Sequence, residues 1–298
     1  EALAAQEAAR ALREELVRAD PDVTQFRADL ADSHSRIGGL LSATGKPAEA
    51  LAAFEAAQAI YRELAESNPK VTQYRAELAE SRENIGLLLC ETGKPAEAMA
   101  AFAVARAICQ EMAEADPDGI EQRARLAACM THSSVAFRRL GRPGEAREAC
   151  DRAVAICEAL VAEIPDVSRY RDLLAEALLD RGLARRALGV PAGAADDARR
   201  ALALWDAQPS RSGEDWFEAA SAHATLAGLA GVPGSGVPAE AASGEAGEAI
   251  ALLRRAVAMG ERSPDAFRTE DALDPLRGRD DFRLLRLDLA FPAEAFTR

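Results

Sequence analysis

Apolar residues recur along this chain at steps of three and four, and the whole pattern then repeats. Residues from about 22 to 43 carry Phe26, Leu30, Ile37 and Leu41 on one helical face, and residues from about 70 to 91 carry Tyr74, Leu78, Ile85 and Leu89 at the matching positions. Between and after them, Ala50, Phe54, Ala57 and Ile60 are answered by Ala98, Phe102, Ala105 and Ile108. Such spacing places each set on one stripe of an amphipathic helix and predicts paired helices, a first and a second in each unit.

Two kinds of punctuation bound these helices. Gly45-Lys46-Pro47 returns as Gly93-Lys94-Pro95, Gly141-Arg142-Pro143 and Gly189-Val190-Pro191, each copy 48 residues after the last. Glycine tolerates the left-handed conformation that closes one helix, and proline suits the first position of the next, where its missing N–H is not needed. Each copy therefore predicts a tight turn within a helix pair. Asp20-Pro21, Asn68-Pro69, Asp116-Pro117 and Ile164-Pro165 mark the breaks between pairs, because the residue before proline is pushed out of the helical region. A fixed period of this size marks an array of stacked units.

The array is read as spanning 1–262: a half repeat at 1–19, then repeats from about 22, 70, 118, 166 and 213. Because Glu1 opens in mid-repeat, the natural protein is expected to continue upstream. The later units are less regular. Ser133-Ser134 replaces Ile37-Gly38, and Arg181 stands where Ile85 stood; these polar residues at core positions mark either a local site or a shifted or snorkelling side chain. The Gly- and Pro-rich stretch from Gly231 to Gly247 reads as a connector, since it follows a helix and lacks the Lys-Ser/Thr pair of a phosphate cradle. Residues 263–298, with Phe282, Leu285 and Leu289 at steps of three and four, read as a tail that caps the last repeat with a short helix; its sequence runs on through Phe296.

Gly38, Gly86 and Gly182 in mid first helix, a glycine closing that helix, then Ala, Phe and Ala at steps of four and three resemble the tetratricopeptide repeat. Its usual period is about 34 residues, so each unit here carries about 14 more, consistent with helices extended across the Asp/Asn-Pro junction. The resemblance implies an all-α solenoid, a right-handed superhelix of helix-turn-helix units whose first helices line a concave groove. The tail, the glycine-rich loop and the 48-residue units together are similar to the C-terminal ends of large bacterial serine/threonine protein kinases of the eukaryotic-like type. That resemblance implies a signalling context and an upstream kinase domain in cis. It transfers no catalytic residue, for no glycine-rich loop with strand lysine, His-Arg-Asp or Asp-Phe-Gly motif occurs in the 298 residues. Kinesin-light-chain-like adaptors are also built on lengthened repeats.

Charge and cysteine usage narrow the partners. Against 36 basic residues stand 49 acidic ones, a formal charge of -13, a poor match to nucleic acid or to an anionic membrane surface. No apolar run is long enough to span a membrane and no leader opens the chain, so a cytoplasmic segment is expected. Cys90, Cys109, Cys129, Cys150 and Cys157 fall inside helical patterns and read as small core residues rather than disulfide or metal-ligating residues. His34, His132 and His223 lie at three different phases of the repeat. No catalytic grouping, metal site or cofactor is therefore expected.

Binding remains. Stepping 48 residues along the first helices gives the lines expected to face the groove, and from them come the partner-binding candidates Glu80, Glu83, Asn84, Leu87, Thr131, Val135, Arg138, Leu183 and Arg186. The early part of the groove is acidic and the later part apolar and basic. Arg138 and Arg186 share one repeat phase and are expected to pair with carboxylates of a protein or peptide partner, with charge reversal leaving stability unchanged. The competing reading is a structural spacer or oligomerisation module with no groove ligand.

Overall fold

A computed structural model describes residues 2–208, 210–261 and 263–290. The start of the half repeat at Glu1, Pro209 in the loop before the fifth repeat, Arg262 at the array's expected end, and the tail's last residues 291–298, with Phe296, lie outside the described residues. Among the described residues thirteen α-helices follow in order: α1 (Ala2–Ala19), α2 (Thr24–Ala43), α3 (Pro47–Ser67), α4 (Thr72–Glu91), α5 (Pro95–Ala115), α6 (Ile120–Arg139), α7 (Pro143–Glu163), α8 (Ser168–Ala187), α9 (Pro191–Asp206), α10 (Gly213–Leu229), α11 (Ala242–Ala258), α12 (Pro264–Thr269) and α13 (Asp280–Ala290). No strand occurs among the described residues. Packing divides the chain into two compact units, Glu1–Ala136 and Phe137–Arg298.

The glycine turns form as their sequence dictates. Gly45, Gly93, Gly141 and Gly189 all have φ between 68° and 79°, the left-handed region that other residues rarely enter. In each, the residue after the glycine donates its N–H five residues back: Lys46 to the Leu41 carbonyl at 2.9 Å, Lys94 to Leu89 at 2.7 Å, Arg142 to Phe137 at 2.9 Å and Val190 to Arg185 at 2.9 Å. This is the Schellman closure, which satisfies carbonyls that a helix end leaves open. Proline then opens α3, α5, α7 and α9. At the other junction the helices stop rather than continue. α3 ends at Ser67 and α4 begins at Thr72, with Asn68 at φ -130°. From α2 to α7 the extra length therefore lies in helices of 20 and 21 residues that run up to the junction, not in a helix that crosses it.

In the first unit, α2 packs on α3 and α4 on α5, with α1 against α2 and α3 against α4. Its core joins Ile37, Leu41 and Phe54 to Ile85, Leu88, Leu89 and Phe102, and a second cluster gathers Ala28, Ala57, Tyr61 and Leu64. Close approach depends on two glycines: a Cβ on Gly38 would stand 2.7 Å from the Phe54 ring, and one on Gly86 2.6 Å from Phe102. Gly86→Ala is therefore expected to destabilise the unit by about 1–3 kcal/mol through overpacking, despite alanine's better helix propensity. Gly86→Ala combined with Phe102→Leu should recover part of that loss in urea unfolding; a Gly86→Ala protein as stable as wild type would contradict the packing.

In the second unit, α8 pairs with α9 and α10 with α11, and α10 also touches α9. A capping box opens α10: Ser212 Oγ accepts from the Asp215 N–H and the Asp215 carboxylate accepts from the Ser212 N–H, a reciprocal arrangement that settles two orphan donors. The tail is more than one capping helix. α12, the 3-10 segment Asp271–Leu276 and α13 bury Phe267, Leu273, Leu276 and Phe282 completely. Asp271–Leu276 lies against α10, close enough that a Cβ on Gly228 would meet Pro275 Cγ at 2.6 Å.

Candidate functional site

The first-helix residues fall into three groups. On α4 of the first unit, Glu80 is exposed, with Arg125 Nη1 3.2 Å away and Arg125 in turn 3.0 Å from Glu121. Asn84 is half-buried. Leu87 and Val135 are partly buried and pack on the Ile85, Leu88 and Phe102 cluster. Thr131 is buried and donates its hydroxyl to the Ala127 carbonyl at 3.1 Å, so it serves its own helix rather than presenting a surface.

Glu83 is also inside, at 8% exposure. Cys129 Sγ donates to its Oε1 at 2.8 Å, and His132 Nδ1 lies 2.7 Å from its Oε2. Cys109 Sγ stands 2.9 Å from Cys129 Sγ. The adjacent Cys109 thiol, burial and the Glu83 carboxylate together push the Cys129 thiol far above its ordinary range. A sequence scan for paired ligands at short spacing passes over this group, because its members come from α4, α5 and α6. Their one sequence signal is periodic: Glu83, Cys109 and Cys129 take the repeat positions of Ser35, Tyr61 and Ser81.

In the second unit, Leu183 is buried. Arg138 is no solvated surface residue: its side chain is 4% exposed, and its guanidinium pairs with Asp180 at 2.7 Å and with the Asp271 carboxylate. Arg186 donates to the Asp271 backbone carbonyl at 2.9 Å. The acidic group on the two arginines belongs to the chain's own 3-10 segment, so the expectation that charge reversal at Arg138 spares stability does not hold. Burial opposes ionisation of Asp271, but Arg138 outweighs it and holds that carboxyl well below the usual range. Glu270 goes the other way. Burial, then the charge of Asp271, push it up to about 8 against the pull of Arg138. Glu218 is raised as well, by burial first and then by Glu270, Asp180 and Glu176.

These shifts have a sign. A carboxyl whose folded pKa lies above its unfolded value, near 4.3, favours the fold below that unfolded value, and the benefit fades as pH rises through the folded pKa. Stability of the 137–298 unit is thus expected to fall between about pH 5 and pH 8. Glu270→Gln should flatten that slope and raise the melting temperature at pH 8 while changing little at pH 5. Parallel melting curves for wild type and variant across this window would refute the assignment.

The histidines stay apart, on α2, α6 and α10, and His223 Nδ1 lies 2.7 Å from Glu245 Oε2. Among the described residues no helix is long and apolar enough to cross a membrane.

Comparison with known proteins agrees with this architecture. The tetratricopeptide repeat family model matches residues 78–118 and 126–163, each match taking the later part of a first helix and the second helix after it. Among solved structures, BtubC (BKLC) from P. vanneervenii is similar at 15% identity and a TM-score of 0.53, covering 86% of this chain and 89% of that one. Aspartyl phosphate phosphatase F from Bacillus subtilis is similar at 16% identity and a TM-score of 0.51, covering 92% and 65%. A putative kinesin light chain from Podosopora anserina, with nearly identical TPR-like repeats, reaches 19% identity and a TM-score of 0.47 over 78% and 95%, too low a score to argue from. No curated protein matches the sequence. At these identities the structural likeness speaks for the fold alone, an all-α array of tetratricopeptide-type helix pairs, and residues 78–118 and 126–163 match the tetratricopeptide repeat model.

Proposed function

We propose that the chain is a non-catalytic protein–protein interaction scaffold that takes an extended segment of a partner on the first-helix face of its 1–136 unit. The observation that carries this reading is the way the second unit uses its own first helices: Arg138 and Arg186 hold the non-α segment Asp271–Leu276 by its carboxylate and its backbone. In the first unit the corresponding surface offers exposed Glu80, half-buried Asp32 and Asn84, and the partly buried apolar pair Leu87 and Val135. That chemistry suits a segment carrying basic residues beside one or two apolar side chains. The context we assign is the C-terminal part of a bacterial signalling serine/threonine kinase, supported by the resemblance in the 48-residue units, the Gly231–Gly247 stretch and the tail.

The test is fluorescence anisotropy with a panel of labelled peptides that alternate Lys or Arg with Leu, plus acidic peptides of the same length. Tight binding of basic members, weakened more than about 10-fold by Glu80→Arg or Leu87→Glu at unchanged helicity, is expected; each tenfold is about 1.4 kcal/mol. Equal affinity for both variants, or no binding by any peptide, would favour a spacer or oligomerisation module instead.

A further inference from the structure

The geometry points to a buried site for a thiophilic divalent cation of the zinc class, held by Cys109, Cys129 and Glu83 between α4, α5 and α6. One ligand atom from each of the three residues lies within 4.8 Å of the other two, and all three residues are buried, the cysteines at 1% exposure. They come from three helices that the sequence separates by 20 residues or more, so a cation there would fasten a first helix of one repeat to both helices that follow it. Zinc accepts both thiolate sulfur and carboxylate oxygen, with metal–sulfur distances near 2.3 Å and metal–oxygen distances of about 2.0–2.2 Å in a tetrahedral arrangement. That arrangement sets the donors about 3.6–3.8 Å apart. Cys109 and Cys129, now 2.9 Å apart, need separate by only about 1 Å, which a rotation at each χ1 supplies.

Glu83 decides between this reading and a simple pair of core thiols or a disulfide. In either of those the buried carboxylate is met by His132 Nδ1 at 2.7 Å, which offsets its charge when the imidazole is protonated and leaves it uncompensated when it is not, a costly state for a buried charge. A divalent cation does neutralise it. Binding releases one proton from each thiol to solvent and forms two thiolate–metal bonds and one carboxylate–metal bond, leaving a formal charge of -1. Glu83 Oε1 faces Cys129 while Oε2 faces His132 Nδ1 at 2.7 Å. The imidazole N–H is thus set to donate to the outer oxygen and spread that charge, as outer-shell partners of metal ligands do. Water would complete the tetrahedron.

The repeat supplies an internal control. At the positions of Glu83, Cys109 and Cys129, the preceding repeat carries Ser35, Tyr61 and Ser81, and the following one Thr131, Cys157 and Ala177. Tyr61 fills its position with a ring and donates its hydroxyl to Asp32, whereas Cys109 sets a ligating sulfur at that place. Among the described residues, one junction brings three such ligands together.

The experiment uses the whole chain, reduced and stripped with chelator, then titrated with Co2+ and with Zn2+. Expected are one equivalent of metal by elemental analysis and the intense ultraviolet absorption of cobalt–thiolate bonds. Melting temperature should rise with free Zn2+ concentration, as for any ligand that prefers the folded state. Cys129→Ser and Cys109→Ser should abolish the charge-transfer band, Glu83→Gln should weaken binding at least about 10-fold, and Cys157→Ser should change neither. The wild-type spectrum answers the question even if a variant fails to fold. The proposal is overturned if the reduced chain takes up no metal, if uptake survives Cys109→Ser/Cys129→Ser, or if thiol counting finds Cys109 and Cys129 joined as a disulfide and reduction restores no metal binding.

Discussion

Replacing Arg138 with alanine is expected to cost the 137–298 unit about 3–5 kcal/mol, the loss typical of removing one partner from a buried ion pair. The side chain is 4% exposed and stands between Asp180 and Asp271, with Glu270 next to Asp271 in sequence. Without the guanidinium, carboxyls from α8 and from the 3-10 segment would lose the cation that bridges them. Glutamate at the same place should be worse, because it adds a further negative charge. Denaturant unfolding followed by circular dichroism measures the loss. A double-mutant cycle with Asp271→Ala isolates the pair: the double variant should be less destabilised than the sum of the single ones. An unfolding midpoint for Arg138→Ala equal to wild type would show the pairing to be idle. The contact of the 3-10 segment with α8 should feel the change first, with Arg186 still on the Asp271 carbonyl.

This pair marks the boundary between what the sequence makes legible and what it hides. Periodicity fixes the helices, their turns and the common phase of Arg138 and Arg186, since each is a consequence of residues a few positions apart. It says nothing of Asp271, which is 133 residues from Arg138 in a segment that repeats nothing. Glu83 is hidden for the opposite reason. It sits within the period, but a position that carries Ser35, Glu83, Thr131 and Leu179 in successive units looks like a variable surface, whereas burial is set by the neighbouring helices. The cysteines read as core residues and are buried; that two of them converge on a carboxylate follows from the pairing of helices, which spacing along one helix does not encode.

Arg181 is the most informative of the irregular positions, and its counter-ion supplies the second large effect. Where the first two repeats set Ile37 or Ile85 beside a glycine that packs on Phe54 or Phe102, the fourth has Arg181, Gly182 and Ala198 at the same phases. Both large apolar groups are gone, and an ion pair fills the space. Asp197, with its side chain 2% exposed, accepts from Arg181 Nε at 3.0 Å, from Arg181 Nη2 at 2.7 Å and from Arg185 Nη1 at 2.8 Å. The two-point contact from Arg181 uses the planar fork that lysine lacks. Asp197→Ala would leave the two guanidiniums with Asp151 as their shared carboxylate, 3.3 Å from Arg181 Nη1 and 3.9 Å from Arg185 Nη2, and should destabilise the unit by about 3–5 kcal/mol. Arg181→Ile with Asp197→Ala and Ala198→Phe restores the apolar set of the earlier repeats. Because well-packed apolar groups often equal or exceed a buried ion pair by about 1–4 kcal/mol, the triple variant should recover most or all of the loss. Urea midpoints for the single and triple variants decide the matter: an Asp197→Ala protein as stable as wild type would mean the pair contributes nothing, and a triple variant weaker than the single one would mean the fourth repeat has lost the geometry that accepts a phenylalanine.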